Sequence, residues 1–225
     1  MSASGRGRVG MVRTVLLALG LLLTLGAAAQ AAIGELVVLK GEVSLVRGRT
    51  KARVMEKFEL EDGDRVVTAK GAKALIRLSG EMQGTEAIIT EATDFQVNAL
   101  LNARKASPID LIFGAIRSRV VKYADPKPFM NTPAAVIGIK GTDFITYVKK
   151  PKATEFIGVE GLIRGTSRTN ADHNIDIGKR QWGEIKEGVA PLPPIHVPDE
   201  LWEPAMIEFA FPTPEELEAA ERRVR

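Results

Sequence analysis

The run Glu35-Leu36-Val37-Val38-Leu39 lies between Gly34 and Gly41, and Glu42-Val43-Ser44-Leu45-Val46-Arg47 follows at once, ending at Gly48. In the second run apolar and polar side chains alternate, as they do in a strand whose successive residues face opposite ways. The same pattern returns along the chain. Ala74-Leu75-Ile76-Arg77-Leu78 stops at Ser79-Gly80, and Ala87-Ile88-Ile89-Thr90 and Phe95-Gln96-Val97 come next. Further runs are Leu111 to Phe113, Ala134 to Ile139, Phe144 to Val148, Glu155 to Val159 and Leu162 to Arg164. Short apolar runs cut by turn residues at these intervals predict an all-β domain from Ile33 to about Val189. Helical periodicity is weak, and the one internal candidate, Val97 to Lys105, reads as two turns of helix or as a loop. Aromatic residues make up 5% of the chain. The core therefore falls to Val, Ile and Leu, each contributing about 1.5–3 kcal/mol when fully buried.

The start of the chain has the three parts of an export leader. Arg6, Arg8 and Arg13 come first with no acid among them, an apolar run from Val15 to Leu25 follows, and Ala27-Ala28-Ala29-Gln30-Ala31 closes the segment. Ala29-Gln30-Ala31 fits the small-x-small rule for cleavage before Ala32. The run is about half the roughly 20 apolar residues of a spanning helix. The expectation is a periplasmic or secreted protein with no stable membrane span after cleavage, against the alternative of an uncleaved anchor. The chain has no cysteine, which excludes a disulfide framework and a cysteine-linked lipid. It carries 31 basic and 28 acidic side chains, a net +3. Residues 1–31 hold three of the basic ones and no acid, which leaves 28 of each. The positive balance belongs to the leader, so nucleic acid is not an expected partner.

Beyond residue 189 the composition changes. Pro191, Pro193, Pro194, Pro198, Pro204, Pro212 and Pro214 are seven of the chain's twelve prolines, and Ala190 to Glu221 holds eight acids with no Lys or Arg. Residues 32–189 carry a net +5. This acidic tail, 190–225, is expected to dock on its own mildly basic domain or on a partner. Its anchors would be Trp202, Ile207, Phe209 and Phe211, the last three alternating as in a strand. A short helix is expected over 213–225, with Thr213 and Glu216 forming a capping box and Pro214 in the first turn.

Two segments carry a family resemblance. One is Leu60-Glu61-Asp62-Gly63-Asp64-Arg65-Val66-Val67-Thr68 followed by Gly71-Ala72-Lys73-Ala74-Leu75-Ile76-Arg77-Leu78. The other is Asn131-Thr132-Pro133-Ala134-Ala135-Val136-Ile137-Gly138-Ile139-Lys140-Gly141-Thr142-Asp143-Phe144. Together they resemble the FecR domain family of exported and periplasmic proteins, and Glu160-Gly161 is similar to the turn that follows in that family. The resemblance spans roughly residues 34–187, the larger part of an expected 32–189 β-domain. It implies an all-β fold, its strands wrapped as a short roll, a solenoid-like stack or a sandwich. Only about 14 residues precede the apolar run, and Lys140 stands where the family usually has arginine. Because the family's regulators carry a sigma-factor-binding segment before that run and a further C-terminal domain where this chain has its acidic tail, signal relay to a sigma factor is not expected. Asp62-Gly63-Asp64 and Gly141 read as turns, Pro133 as the first residue of a strand or an edge, and Thr142 as a local hydrogen-bonding group.

No catalytic residue stands out. The histidines are His173 and His196, too few for a zinc site without cysteine, and no nucleophile-elbow motif is present. Glu61, Asp62 and Asp64 lack the remaining ligands of a calcium loop. Trp182 and Trp202 read as packing anchors ahead of a sugar platform. Lys149, Lys150 and Lys152, around Pro151, read as an exposed hairpin turn or as a contact for an anionic envelope polymer. The expectation is a non-enzymatic interaction or sensor module of the cell envelope without cofactor or metal. Its partner would be an envelope protein or anionic polymer. The alternatives are a structural subunit of an envelope assembly and an enzyme acting on envelope polymers.

Overall fold

Strands buried on both faces need cover on both sides, whereas strands buried on one face can turn the other to water. The chain contains both kinds and sorts them into two sheets. The structure, a computed structural model, describes residues 32–99, 107–121, 127–139 and 141–222. The expected leader, residues 100–105 of the internal helix candidate and Lys140 lie outside the described residues. Val97 itself closes a strand.

In chain order the strands are β1 (Gly34–Lys40), β2 (Val43–Arg47), β3 (Thr50–Val54), β4 (Lys57–Leu60), β5 (Arg65–Thr68), β6 (Lys73–Leu78), β7 (Glu86–Ile89), β8 (Asp94–Val97) and β9 (Ile109–Arg119). They continue as β10 (Lys127–Asn131), β11 (Ala135–Ile139), β12 (Asp143–Lys150), β13 (Ala153–Glu160), β14 (Ile163–Ser167), β15 (Asn174–Ile177), β16 (Gln181–Lys186) and β17 (Ile195–His196). Two helices, α1 (Asp199–Glu208) and α2 (Pro214–Arg222), end the described chain. The pairings give sheet A the order β4-β1-β6-β7-β9-β12-β13-β16-β17. Sheet B runs β3-β2-β5-β8-β9-β10-β11-β14-β15. From β10 onward successive hairpins alternate between the layers, so the chain rolls from one sheet to the other. The result is the expected all-β fold in sandwich form.

Strand β9 belongs to both sheets. Its first half pairs with β8 in sheet B and its second half with β7 and β12 in sheet A. The bend falls at Gly114, whose φ is +99° and where a Cβ would lie 2.4 Å from the Thr93 Cα. Only glycine adopts that backbone without strain, so one residue lets a single strand cross between layers.

Strands β2, β5, β8, β11, β14 and β15 of sheet B bury alternate residues. Their inner side chains meet those of sheet A in a core that holds Phe95, Phe129, Phe144 and Phe156, all fully buried. The Phe129 and Phe144 rings meet edge to face at 6.0 Å. Sheet A differs, because β1, β6, β7, β12 and β13 bury consecutive residues. Val37, Leu75, Ile88, Ala115, Ile145 and Ile157 form a second apolar cluster on its outer face, together with Val197, Ala205, Phe209 and Ala220. The tail therefore docks on its own domain.

The turns of the two quoted segments are as expected at Gly63 (φ +87°) and Gly141 (φ +75°). Gly161, also left-handed, approaches so closely that a Cβ there would lie 2.9 Å from the Gly141 carbonyl oxygen. Two motif glycines about 20 residues apart in sequence thus meet at one corner. Pro133 corrects the expectation for it. The residue lies in the β10–β11 turn, where the Thr132 hydroxyl donates to the Ala135 carbonyl at 3.0 Å and accepts from the Ala135 amide at 2.9 Å. The Thr142 hydroxyl, expected to bond locally, is buried and has no hydrogen-bond partner among the described residues.

Candidate interaction surface

After the Gly188 turn the chain passes Pro191, Pro193 and Pro194 beside β16, enclosing a groove of about 110 Å³ lined by Trp182, Gly183 and Leu192 among others. Prolines present no amide donor, so this passage shields the end of sheet A from edge pairing. β17 then adds two residues against Gln181 and Trp182. From there α1 and α2 form a strap across the outer face of sheet A.

The expected strand alternation at Ile207, Phe209 and Phe211 is overturned, because Trp202 and Ile207 lie on α1 and Phe209 caps its C-terminus. Asp199 and Glu200 favour the positive end of the helix dipole, and Leu, Ala, Met and Glu are strong helix formers. Pro204 removes one internal hydrogen bond, and packing on sheet A holds the ten residues in place. Trp202, Ala205, Met206 and Phe209 form the packed side. Phe209 is fully buried, its ring 5.6 Å from that of Tyr147 in an edge-on contact. Leu201, Pro204 and Ile207 point the other way. Of the nine large apolar side chains exposed among the described residues, five lie between Val189 and Ile207, with Leu201 at 64% and Ile207 at 76%. Helix α2 starts as expected. The Thr213 amide donates to Glu216 Oε2 at 2.9 Å and the Glu216 amide to Thr213 Oγ1 at 3.2 Å.

Cations of sheet A and its turns lock the strap. Arg117 donates Nε and Nη2 to the two carboxylate oxygens of Asp143, each at 2.8 Å, and Nη1 to the Phe209 carbonyl at 3.3 Å. Lys73 Nζ donates to the Ala210 carbonyl at 2.8 Å. Burial, and then the charge of Lys40, lowers the Lys73 ammonium below its ordinary pKa. Both donors meet carbonyls at the negative end of α1, where cations are favoured. The Phe211 ring lies 5.3 Å from the Arg117 guanidinium and 4.0 Å from that of Arg119. At the other end Arg180 pairs with Asp199 and stands 5.1 Å from the Trp202 ring. Burial raises the Tyr147 hydroxyl above the ordinary phenol range, and Glu208 and Glu155 push the same way.

Lys149, Lys150 and Lys152 lie at the exposed β12–β13 hairpin. Lys149 pairs with Glu155 at 3.1 Å and stands 5.0 Å from the Tyr147 ring, while Lys152 is 3.6 Å from Glu187. Sequence reasoning missed Arg117, Arg119, Lys73, Asp143 and Arg180. The usable signal was Ile116-Arg117-Ser118-Arg119, two cations at alternate positions in the second half of a strand where Ala115, Ile116 and Ser118 are buried. Asp64 is also more than a turn residue. It is buried, takes the Arg47 guanidinium on both oxygens at 2.9 and 2.8 Å, and accepts the Glu61 amide at 2.8 Å. The arrangement holds and presents apolar surface. Among the described residues no group of three or more His, Cys, Asp or Glu side chains converges as a metal site.

No protein-family model and no curated protein sequence matches this chain. Solved structures do. Two crystal structures of a "putative anti-sigma factor" from Parabacteroides distasonis ATCC 8503 are similar to it at 11% identity. The one at 2.50 Å resolution has a TM-score of 0.50 and covers 64% of this chain and 63% of its own. The one at 1.65 Å has a TM-score of 0.47 and covers 59% of each. This chain thus spans about three fifths of the length of those neighbours.

Proposed function

We propose that this chain is a FecR-like, non-catalytic sensor or interaction module of the cell envelope. In this reading it is exported on a leader removed before Ala32 and binds a protein partner through the outward face of its strap. One observation carries the reading: Leu201 and Ile207 are exposed on the side of α1 turned away from sheet A, and Val189, Leu192 and Ile195, in the passage that leads to it, are exposed as well. Large apolar side chains left exposed close together favour a site of association. Glu200 and Glu203 flank it and make no ion pair among the described residues, which favours a partner with basic groups around an apolar anchor. The FecR-like segments, and the similarity in fold to a protein described as a "putative anti-sigma factor", support a regulatory rather than a chemical role.

The test is affinity capture from envelope fractions with the wild-type chain and a Leu201→Glu, Ile207→Glu variant, after both are shown to melt alike. A partner held by the wild type and lost by the variant is the expected result. Equal recovery of the same proteins by both would remove the strap from the binding role. Fractionation should find a product shortened by the leader outside the cytosol, and an intact cytosolic product would overturn export.

A further inference from the structure

A second surface lies at the opposite end of the strand order, on β3. The β2–β3 hairpin turns on Gly48-Arg49, with Gly48 at φ +59°, which suits the first position of a type II′ loop. A two-residue loop closes on a hydrogen-bonded pair, here Arg47 and Thr50, and bonded and non-bonded pairs then alternate along the ladder. Leu45/Ala52 and Val43/Val54 are therefore bonded, whereas Val46/Lys51 and Ser44/Arg53 are not. The main-chain N–H and C=O of Lys51 and Arg53 consequently point away from β2. Among the described residues no other strand pairs with β3, and Thr50 through Arg53 are exposed.

The side chains of Lys51 and Arg53 stand opposite Val46 and Ser44, on the solvated face of sheet B. Other arginines in this sheet are neutralised: Arg65 by Asp94, Arg164 by Asp176 at 2.6 Å, and Arg47 by Glu61 and Asp64 at 2.6 and 2.8 Å. Arg49, Lys51 and Arg53 have no carboxylate partner among the described residues. Met55, 64% exposed, follows immediately.

We propose that the β3 edge is a strand-addition site for an extended acidic segment of another protein, with carboxylates at alternate positions opposite Lys51 and Arg53. The outward amides call for an extended backbone, which a helix cannot supply. The unneutralised cations select the charge. Two β3 edges facing each other would set like charges opposite, which is destabilising, so a second copy of this chain does not fit.

The probe is a seven-residue peptide alternating valine and glutamate, with a valine–lysine peptide as control, added to the intact protein. The glutamate peptide should protect the Lys51 and Arg53 amides from hydrogen exchange and leave those of Thr50 and Ala52 unchanged. It should bind roughly tenfold more tightly than the lysine peptide, by a margin that shrinks with added salt. Lys51→Glu with Arg53→Glu should reverse the preference. Lys51→Pro, which removes an outward donor and spares the β2 ladder, should abolish binding without changing the melting temperature. Equal binding of the two peptides, protection confined to other strands, or retention of the glutamate peptide by the charge-reversed variant would overturn the proposal.

Discussion

Replacing Phe209 by alanine should free the strap while leaving the two-sheet core folded. The side chain is fully buried against sheet A and meets Tyr147 edge to face at 5.6 Å. Truncating a buried phenylalanine costs about 3–5 kcal/mol, a range that includes the roughly 0.5–1.5 kcal/mol of an aromatic pair. Because Phe209 packs in the cluster on the outer face of sheet A, outside the core between the sheets, the loss should fall on local opening of the strap. At about 1.36 kcal/mol per decade, that corresponds to roughly a hundredfold to several-thousandfold loss of hydrogen-exchange protection in α1. The assay is native-state exchange followed residue by residue, with β7 and β12 as the internal reference. Ile207→Ala, on the exposed side of the same helix, should stay within about 0.5 kcal/mol of wild type. A loss in α1 of less than tenfold would refute the reasoning. So would an equal loss in β7 and β12, because the strap would then not be a separately opening unit.

Arg117→Ala should destabilise the protein by about 3 kcal/mol in urea unfolding, since it strands the buried Asp143 carboxylate. The low end of the usual range applies because Arg119 Nε remains 3.6 Å from that carboxylate. Arg117→Lys should recover less than half of the loss, because an ammonium cannot reproduce the two-point contact. The acid response should arise at the other end of the strap. A hydrogen bond from Arg180, and then its charge, hold the Asp199 carboxyl below its ordinary range. A carboxyl depressed in the folded state contributes fully above its unfolded pKa, near ~3.9, and the contribution is lost as pH falls through the folded value. Trp202 fluorescence should therefore hold steady from neutral pH to about pH 5 and change only below about pH 4. The Arg180→Met variant should lack that Asp199-linked step, and a transition between pH 6 and 7 would contradict the assignment.

The sequence by itself determined the strand-rich class, because glycine-cut runs and two-residue alternation are local properties of the chain. For some strands the pattern also matches the layer: Val43-Ser44-Leu45 alternates and lies in sheet B, while Leu36-Val37-Val38 does not and lies in sheet A under the strap. Strands such as Thr50–Val54 escaped notice because an edge strand with four exposed residues has no apolar signature. α1 escaped for the opposite reason, since apolar residues on both its faces erase the helical period and Pro204 argues against a helix. Only the tertiary structure decided that Arg117, Asp143 and Phe209 form one lock and that Lys51 and Arg53 turn their amides outward. Those facts depend on strand register and on which sheet lies beneath the tail. They are relations between residues up to 92 positions apart, and no local pattern encodes them.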